Sequence, residues 1–141
     1  LFFRSLLLEK LIYDLDHPYI IFDQYLSSPW AITSIKRCKE KYSPVQIDFI
    51  IGSDLISEMF KWKNINQIIN EVRLIIIPRE GYPIEERNLL KIKEKNGNFE
   101  VSDLKIPKIS SSMIRENSEH FGLPQSLTSI IKTHNLYDLK N

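Results

Sequence analysis

Two apolar runs separated by helical patterns constrain the fold of this chain most strongly. Residues 48–51 read Asp-Phe-Ile-Ile and residues 73–77 read Arg-Leu-Ile-Ile-Ile, so neither run alternates with polar residues. Continuous apolar runs of this kind are typical of strands in a parallel sheet. Parallel neighbours need a crossover connection, which the residues between the two runs can supply. The pattern therefore predicts an α/β fold, with residues 48–51 as a central strand.

The remaining predicted elements alternate between helix and strand. Helices are predicted at residues 3–14, 30–40, 55–60, 65–70, 83–95 and from Pro124 onward, and further strands at 19–22 and 99–104. Pro83 suits the first turn of its helix, and Asn96-Gly97 is a typical helix end. No internal repeat or linker interrupts this order, so we expect one domain over residues 1–141.

Composition excludes several classes of protein. A hydrophobic content of 43% with 26% charged residues is ordinary for a globular domain, and a net charge of +1 offers no field for nucleic acid. The lone Cys38 cannot form an internal disulfide, which suits a reducing compartment. Arg4, Glu9 and Lys10 interrupt the apolar opening, so no signal peptide or membrane span is predicted. We predict a cytoplasmic protein without a nucleic-acid or membrane partner, and homo-oligomer formation stays open.

A serine-rich stretch at residues 109–115, Ile-Ser-Ser-Ser-Met-Ile-Arg, concentrates groups that can hold a polyphosphate. Ser110 or Ser111 is a natural N-cap for a helix that continues to Arg115. The first turn of a helix leaves N–H donors unsatisfied and carries partial positive charge, so anions bind there. With Ser111 as N-cap, Arg115 lies about one turn further on, within reach of phosphate oxygens. An ordinary capped surface helix is the alternative, and the local pattern alone favours it.

The first apolar run breaks at Gly52-Ser53-Asp54. Gly52 allows the backbone to approach a ligand closely, and Asp54 can accept hydrogen bonds from sugar hydroxyls. In open α/β sheets, ligands bind beyond the carboxyl ends of the strands, where these residues are expected. A strand-to-helix turn with Ser53 or Asp54 as N-cap explains the same residues, and both interpretations can hold together.

The order of these motifs resembles the nicotinate-nucleotide adenylyltransferases of the nucleotidyltransferase superfamily. The matching tracts are Ile-Gly-Ser-Asp at 51–54, Phe-Lys-Trp at 60–62, the apolar strand at 74–78, Arg-Glu-Gly-Tyr-Pro at 79–83, the stretch at 109–115 and Asn-Leu-Tyr at 135–137. The resemblance covers nearly the whole chain, most convincingly from residue 48 onward. It implies a Rossmann-like three-layer sandwich with a mainly parallel sheet.

The resemblance also implies a reaction, the transfer of an adenylyl group from ATP to nicotinate mononucleotide in NAD biosynthesis. The products are deamido-NAD and pyrophosphate. The mononucleotide phosphate attacks the α-phosphorus of ATP in line, and catalysis comes from positioning and from stabilising the leaving pyrophosphate. Mg²⁺ bridges the ATP phosphates, which supply most of its ligands, so no metal site on the protein is predicted.

Individual residues take their roles from the same resemblance. The catalytic set that holds the ATP phosphates is Ser111, Ser112 and Arg115; the other ATP-binding residues are Gly52, Asp54, Ile109 and Ser110; the residues at the mononucleotide are Trp62, Arg79, Ser34 and Trp30. Asp54 and Arg115 are expected to meet at one rim of the sheet, because a single ATP must touch both.

Two of the mononucleotide residues have ordinary structural alternatives. Trp62 is expected to stack on the pyridine ring, and the alternative is a half-buried packing tryptophan. Arg79 follows a predicted strand and is expected near the substrate phosphate, and the alternative is a salt bridge to Glu80 or Glu85.

The chain departs from the family pattern at residues 30–35, where the family has Tyr-Thr-x-x-Thr-Leu. Ser34 keeps a hydroxyl, whereas Ala31 loses one and Trp30 replaces the tyrosine. The hydroxyls of this motif contact the mononucleotide in the family, and the ring of Trp30 is a candidate for compensation.

A larger departure is that the family's His-x-Gly-His strand-turn does not occur. His17, His120 and His134 are isolated, and the chain opens at Leu1 inside a predicted helix. We expect a fragment whose first strand and catalytic turn are missing. Because losing one preorganised donor typically costs about 3 kcal/mol of transition-state stabilisation, this polypeptide is expected to be inactive or nearly so.

Other functions stay open on the sequence. A pantetheine-phosphate adenylyltransferase or a cytidylyltransferase shares the superfamily and its serine-rich phosphate helix. Trp62 and the turn at 79–83 favour the nicotinate enzyme over both. A non-catalytic nucleotide-binding module is the alternative from another class, supported by the absent histidine motif.

Overall fold

The structure is a computed structural model that describes residues 2–104 and 123–136. The chain divides into two compact units, Leu1–Gln24 with Ile109–Asn141, and Tyr25–Lys108. The serine-rich stretch lies outside the described residues, so the roles of Ile109, Ser110, Ser111, Ser112 and Arg115 stay predictions. That residues 1–141 form one domain also stays a prediction.

The described elements follow the predicted alternation. The helices are α1 (Phe2–Leu15), α2 (Ala31–Tyr42), α3 (Ile56–Met59), α4 (Ile65–Glu71), α5 (Glu86–Glu94) and α6 (Gln125–Thr133), and the strands are β1 (Asp48–Gly52), β2 (Arg73–Ile77) and β3 (Asn98–Val101). Single turns of 3-10 helix occur at Gln24–Leu26 and Ser53–Leu55. No helix in the described part of the chain has the length and apolar character needed to cross a membrane.

The first unit is built around the contact between α1 and α6. Leu127 and Ile131 of α6 are buried, and the ring of Phe3 lies 4.9 Å from that of His134. Lys10 donates a hydrogen bond of 2.6 Å to Asp14. Hydrogen bonds from Lys10 and from Ser126 of α6 hold the pKa of the Asp14 carboxyl below its usual value. Both helices therefore form where the sequence predicts them.

The second unit contains a parallel sheet of three strands in the order β1-β2-β3. Asp48 is paired with Arg73, and Arg73 with Asn98, so the strands start level with one another. The Arg73 guanidinium bonds the Asp48 carboxylate at 2.8 and 2.5 Å and contacts Glu100 at 3.4 Å. These hydrogen bonds hold the pKa of Asp48 below its ordinary value. The predicted α/β class with a parallel sheet is confirmed.

Alternate residues of the strands build the core on one face of the sheet. Side chains from β1, β2, the four helices of this unit and the residue after α4 form one buried cluster: Ile32, Ile35, Ile51, Ile56, Met59, Ile68, Ile69, Val72, Leu74, Ile76 and Ile92. Ile50 points to the other face and is 66% exposed. The prediction that 48–51 is a central strand is wrong for the described sheet, because β1 lies at its edge.

Residues 19–22 form no strand in the structure. The N–H of Ile20 donates to the carbonyl of His17 at 3.0 Å, so the chain turns around Pro18. Tyr19 and Ile21 are exposed. The strand prediction is wrong because proline fixes φ and removes a donor, which favours a turn over an extended run.

Helix α5 starts at Glu86 and not at Pro83. The N–H of Tyr82 donates to the carbonyl of Arg79 at 3.1 Å, and Glu85 is extended, so the preceding turn and Glu85 delay the helix.

The end of α5 is as predicted. Asn96 adopts a left-handed conformation with φ of 59°, and its N–H donates to Lys93. The N–H of Gly97 donates to Ile92, which completes a Schellman motif. Strand β3 then ends at Val101, earlier than the predicted residue 104.

Candidate functional site

A cleft of about 550 Å³ opens beside β1, between the start of α2 and the segment after α3. We call it the tryptophan cleft; its lining residues are Ser28, Pro29, Trp30, Ala31, Ser34, Phe49, Lys61, Trp62 and Lys63. Three of the four residues predicted at the mononucleotide, Trp30, Ser34 and Trp62, therefore line one cleft. Their role there stays a prediction. Trp30 and Trp62 are the two tryptophans of the chain.

Trp30 stands at the start of α2, where it precedes the first helical residue in an extended conformation with φ of −115° and ψ of 118°. Its N–H donates to Ser28 Oγ at 3.1 Å, and its carbonyl accepts from the N–H groups of Thr33 and Ser34. The side chain stays 52% exposed. Because Ser34 lies about one helical turn further on, it faces the same cleft.

Trp62 follows α3 in a tight turn that is held by backbone hydrogen bonds. Its N–H donates to Met59 at 3.0 Å, and its carbonyl accepts from Ile65 at 3.2 Å. The ring packs edge-on against Phe49 of β1, with centroids 6.2 Å apart. Trp62 is half-buried and still lines the cleft, so packing and an exposed ring surface occur together in this one side chain.

Two lysines of the cleft were missed from the sequence. Lys61 forms hydrogen bonds of 2.9 and 3.1 Å with the Glu58 carboxylate. The ammonium of Lys63 lies 5.3 Å from the centre of the Trp30 ring. The alternation Lys-Trp-Lys at 61–63 was the available signal, since it places a cation on each side of a ring predicted to bind a ligand.

A second group of site residues meets where β1 and β2 end. We call Gly52, Ser53, Asp54, Arg79 and Tyr82 the strand-end cluster. Arg79 Nη1 donates to Asp54 Oδ2 at 2.7 Å, and the two side chains are 24% and 19% exposed. Both were predicted to bind a substrate, and the structure joins them to each other. This partner of Arg79 differs from the Glu80 or Glu85 that the sequence suggested.

Ser53 ties the two strand ends together. Its side chain is buried, with Oγ donating to the Tyr82 carbonyl at 2.7 Å and accepting from the Arg79 N–H at 2.9 Å. The residue before the 3-10 turn is Gly52, and no side-chain cap bonds that turn. The N-cap interpretation of Ser53 and Asp54 is therefore wrong, because both side chains bond the neighbouring segment at residues 79–82.

Gly52 is needed for space at this point of the cluster. Its φ of −73° is open to any residue. A Cβ on Gly52 would overlap Asp54 Oδ1 and lie 3.1 Å from Arg79 Cδ. Asp54 Oδ1 itself is buried and has no hydrogen-bond partner among the described residues. The glycine therefore makes room for the ion pair, and one carboxylate oxygen keeps its acceptor capacity.

No group of three or more His, Cys, Asp or Glu side chains among residues 2–104 and 123–136 could hold a metal ion. Asp54, the carboxylate of the strand-end cluster, is engaged by Arg79. Magnesium requires several oxygen ligands in octahedral geometry, which this donor set does not supply.

The chain was compared with known proteins by sequence, and the two relatives described below carry the same name. No protein-family model matches the chain. It is 27% identical to a probable nicotinate-nucleotide adenylyltransferase of Synechocystis sp. over 95% of this chain and 71% of that protein. It is 33% identical to a probable nicotinate-nucleotide adenylyltransferase of Clostridium perfringens over 74% of this chain and 55% of that protein. The chain thus spans about half to seven-tenths of the length of these relatives.

Solved structures show the same similarity. Nicotinic acid mononucleotide adenylyltransferase of Plasmodium falciparum, complexed with NaAD, matches 92% of this chain and 71% of that protein, with a TM-score of 0.66 and 25% identity. The same enzyme complexed with APC matches 89% of this chain and 63% of that protein, with a TM-score of 0.56. The chain is thus similar in sequence and in fold to nicotinate-nucleotide adenylyltransferases, in agreement with the motifs at 51–54, 60–62 and 79–83.

Proposed function

We propose that this protein transfers the adenylyl group of ATP to nicotinate mononucleotide, with deamido-NAD and pyrophosphate as products. The observation that carries the proposal is that Trp30, Ser34 and Trp62, from two separate segments, line one cleft beside β1. A cleft with two indole walls suits a flat heteroaromatic ring, because aromatic faces stack well on one another. The related proteins are named nicotinate-nucleotide adenylyltransferases, and the pyridine ring of nicotinate is a flat heteroaromatic ring of this kind.

The strand-end cluster supplies the groups for the remaining parts of the two nucleotides. Arg79 is proposed to bind the mononucleotide phosphate, since a guanidinium matches phosphate oxygens in a bidentate manner. Asp54 is proposed to accept hydrogen bonds from the adenosine sugar, for which its buried Oδ1 has capacity. Because the two side chains are bonded at 2.7 Å, a phosphate at Arg79 competes with Asp54 for the guanidinium.

The chemistry requires positioning more than proton transfer. An oxygen of the mononucleotide phosphate forms a bond to the α-phosphorus of ATP, and the bond from that phosphorus to pyrophosphate breaks. The attacking oxygen is already anionic, so no general base is needed. Mg²⁺ enters as part of the MgATP substrate, with the phosphates as its ligands. Ser111, Ser112 and Arg115 are proposed to hold the β- and γ-phosphates, with Ile109 and Ser110 beside the nucleotide.

Tryptophan fluorescence tests the proposal directly, because both tryptophans of the chain line the cleft. Titration with nicotinate mononucleotide is expected to change the emission in a saturable manner. Trp62→Leu should weaken the affinity about fivefold, since ring stacking contributes roughly 1 kcal/mol beyond the buried area. The response of Trp30 reports binding in this variant.

Phosphopantetheine provides the matched comparison ligand, since it carries a phosphate but no aromatic ring. It is expected to leave the emission unchanged. Saturable binding of phosphopantetheine without binding of nicotinate mononucleotide would contradict the proposal and favour a pantetheine-phosphate adenylyltransferase.

A further inference from the structure

We propose that Lys63 is a specificity-determining residue of the tryptophan cleft, favouring a pyridine ring with a 3-carboxylate over the same ring with a 3-carboxamide. This inference rests on the proposed function, because it concerns the mononucleotide bound in that cleft. Position 63 follows the ring predicted to stack on the substrate, and its side chain lines the cleft.

The charges of the cleft are one-sided. Its lining contains Lys61 and Lys63 and no aspartate or glutamate. Lys61 already has a carboxylate partner, Glu58, at 2.9 Å. No ion pair engages Lys63 within the described ranges 2–104 and 123–136. The uncompensated cation of the cleft is therefore Lys63.

The position of Lys63 is set by its neighbours along the chain. The turn is closed by the hydrogen bond from the Ile65 N–H to the Trp62 carbonyl, and Asn64 adopts a left-handed conformation with φ of 57° before α4. The Lys63 ammonium lies 5.3 Å from the centre of the Trp30 ring. A ring bound in the cleft consequently meets the indole of Trp62 and the ammonium of Lys63, which lies over the indole of Trp30.

The two competing ligands differ in charge and hardly in shape. A carboxylate gains attraction from a nearby ammonium, whereas a neutral carboxamide gains almost none. Lys63 is exposed, so solvent screens the interaction and limits its contribution. An exposed ion pair corresponds to a change in affinity of about fivefold at most. Salt weakens such a pair further.

The test measures dissociation constants of nicotinate and nicotinamide mononucleotides by tryptophan fluorescence of the whole 141-residue chain. In Lys63→Met, the affinity for the acid is expected to fall about fivefold while that for the amide stays unchanged. Lys63→Arg should keep the preference, because it keeps the charge. In the unaltered protein the preference should shrink as salt is raised, and in Lys63→Met it should not.

Lys93→Met is the matched control, since the Lys93 ammonium also lies over a ring, 5.8 Å from the centre of Phe99, but outside the cleft. It should leave both affinities unchanged. An acid-to-amide ratio in Lys63→Met equal to that of the unaltered protein overturns the role of Lys63 and leaves the proposed function standing. Failure of the unaltered protein to bind either mononucleotide overturns the proposed function, and this inference with it.

Discussion

The tryptophan cleft and the strand-end cluster lie in the same unit but hold their polar groups in opposite ways. In the cleft, two aromatic rings and a lysine border an open volume of about 550 Å³. In the cluster, Arg79 and Asp54 bond each other at 2.7 Å, and Ser53 joins both strand ends. A ligand can therefore enter the cleft without breaking a protein contact, whereas a phosphate at Arg79 must compete with a carboxylate.

The largest expected effect separates binding from turnover. The 141 residues contain no His-x-Gly-His motif, to which the family resemblance assigns contacts with the ATP phosphates. Since one preorganised donor contributes about a hundredfold or more to the rate, we expect dinucleotide synthesis by this polypeptide to be at least about a hundredfold slower than by the Plasmodium falciparum enzyme. Release of pyrophosphate from MgATP and nicotinate mononucleotide measures it. Comparable rates would show that the present residues suffice for catalysis.

Crowding the strand-end cluster should destabilise the protein. Gly52→Ala places a Cβ against the Asp54 carboxylate and the Arg79 side chain. Overpacking of this kind costs about 1–3 kcal/mol in the free energy of unfolding, measured by urea denaturation. Asn98→Ala, at an exposed position of β3, is the control and should change stability little. Equal midpoints for Gly52→Ala and the unaltered protein would show that the ion pair relaxes without cost.

The competition between substrate and Asp54 can be measured by changing each partner of the ion pair. Arg79→Met is expected to weaken the binding of nicotinate mononucleotide about fivefold. Asp54→Asn should strengthen it, because the phosphate no longer competes with a carboxylate for the guanidinium. Fluorescence titration compares the two variants. A similar loss of affinity in both would mean that the ion pair itself builds the binding site.

The smallest expected effect concerns pH and lies at the opposite end of the strands. Hydrogen bonds from Arg73 hold the pKa of Asp48 below 3.8, its ordinary value, in the folded protein. The pair therefore contributes stability that is fully present above pH 3.8 and is lost as the pH falls through the folded-state pKa.

Arg73→Met removes this contribution and should flatten the acid limb of the stability curve measured by urea denaturation. Arg87→Met, which breaks an exposed pair with Glu85, is the matched control. An unchanged acid limb in Arg73→Met would remove Asp48 as its source.

Strand prediction succeeded where a glycine or a proline ends the apolar run. The runs at 48–51 and 73–77 end at Gly52 and Pro78, and the structure gives β1 and β2 almost those limits. The apolar residues at 19–22 follow Pro18, and local turn formation prevailed over their strand propensity.

The grouping of three residues in the tryptophan cleft was predicted from the sequence, and their role there stays a prediction. Trp30, Ser34 and Trp62 were expected together from the family resemblance, and the structure places them in one cleft. The Arg79–Asp54 pair was missed, since its partners are 25 positions apart and each was assigned to a different ligand. The contact of Lys63 with Trp30 was missed because the two residues belong to separate segments, and only the fold brings the ammonium over that ring.

The sequence alone determined the parallel α/β arrangement of β1 and β2, because the spacing of apolar residues sets both the strand type and the crossover between strands. Only the tertiary structure decided which charges are compensated. Arg79 has a carboxylate partner 25 positions away, and Lys63 lies over the indole ring of Trp30. Coulombic attraction depends on distances between side chains of different elements, and residue patterns along the chain do not contain those distances.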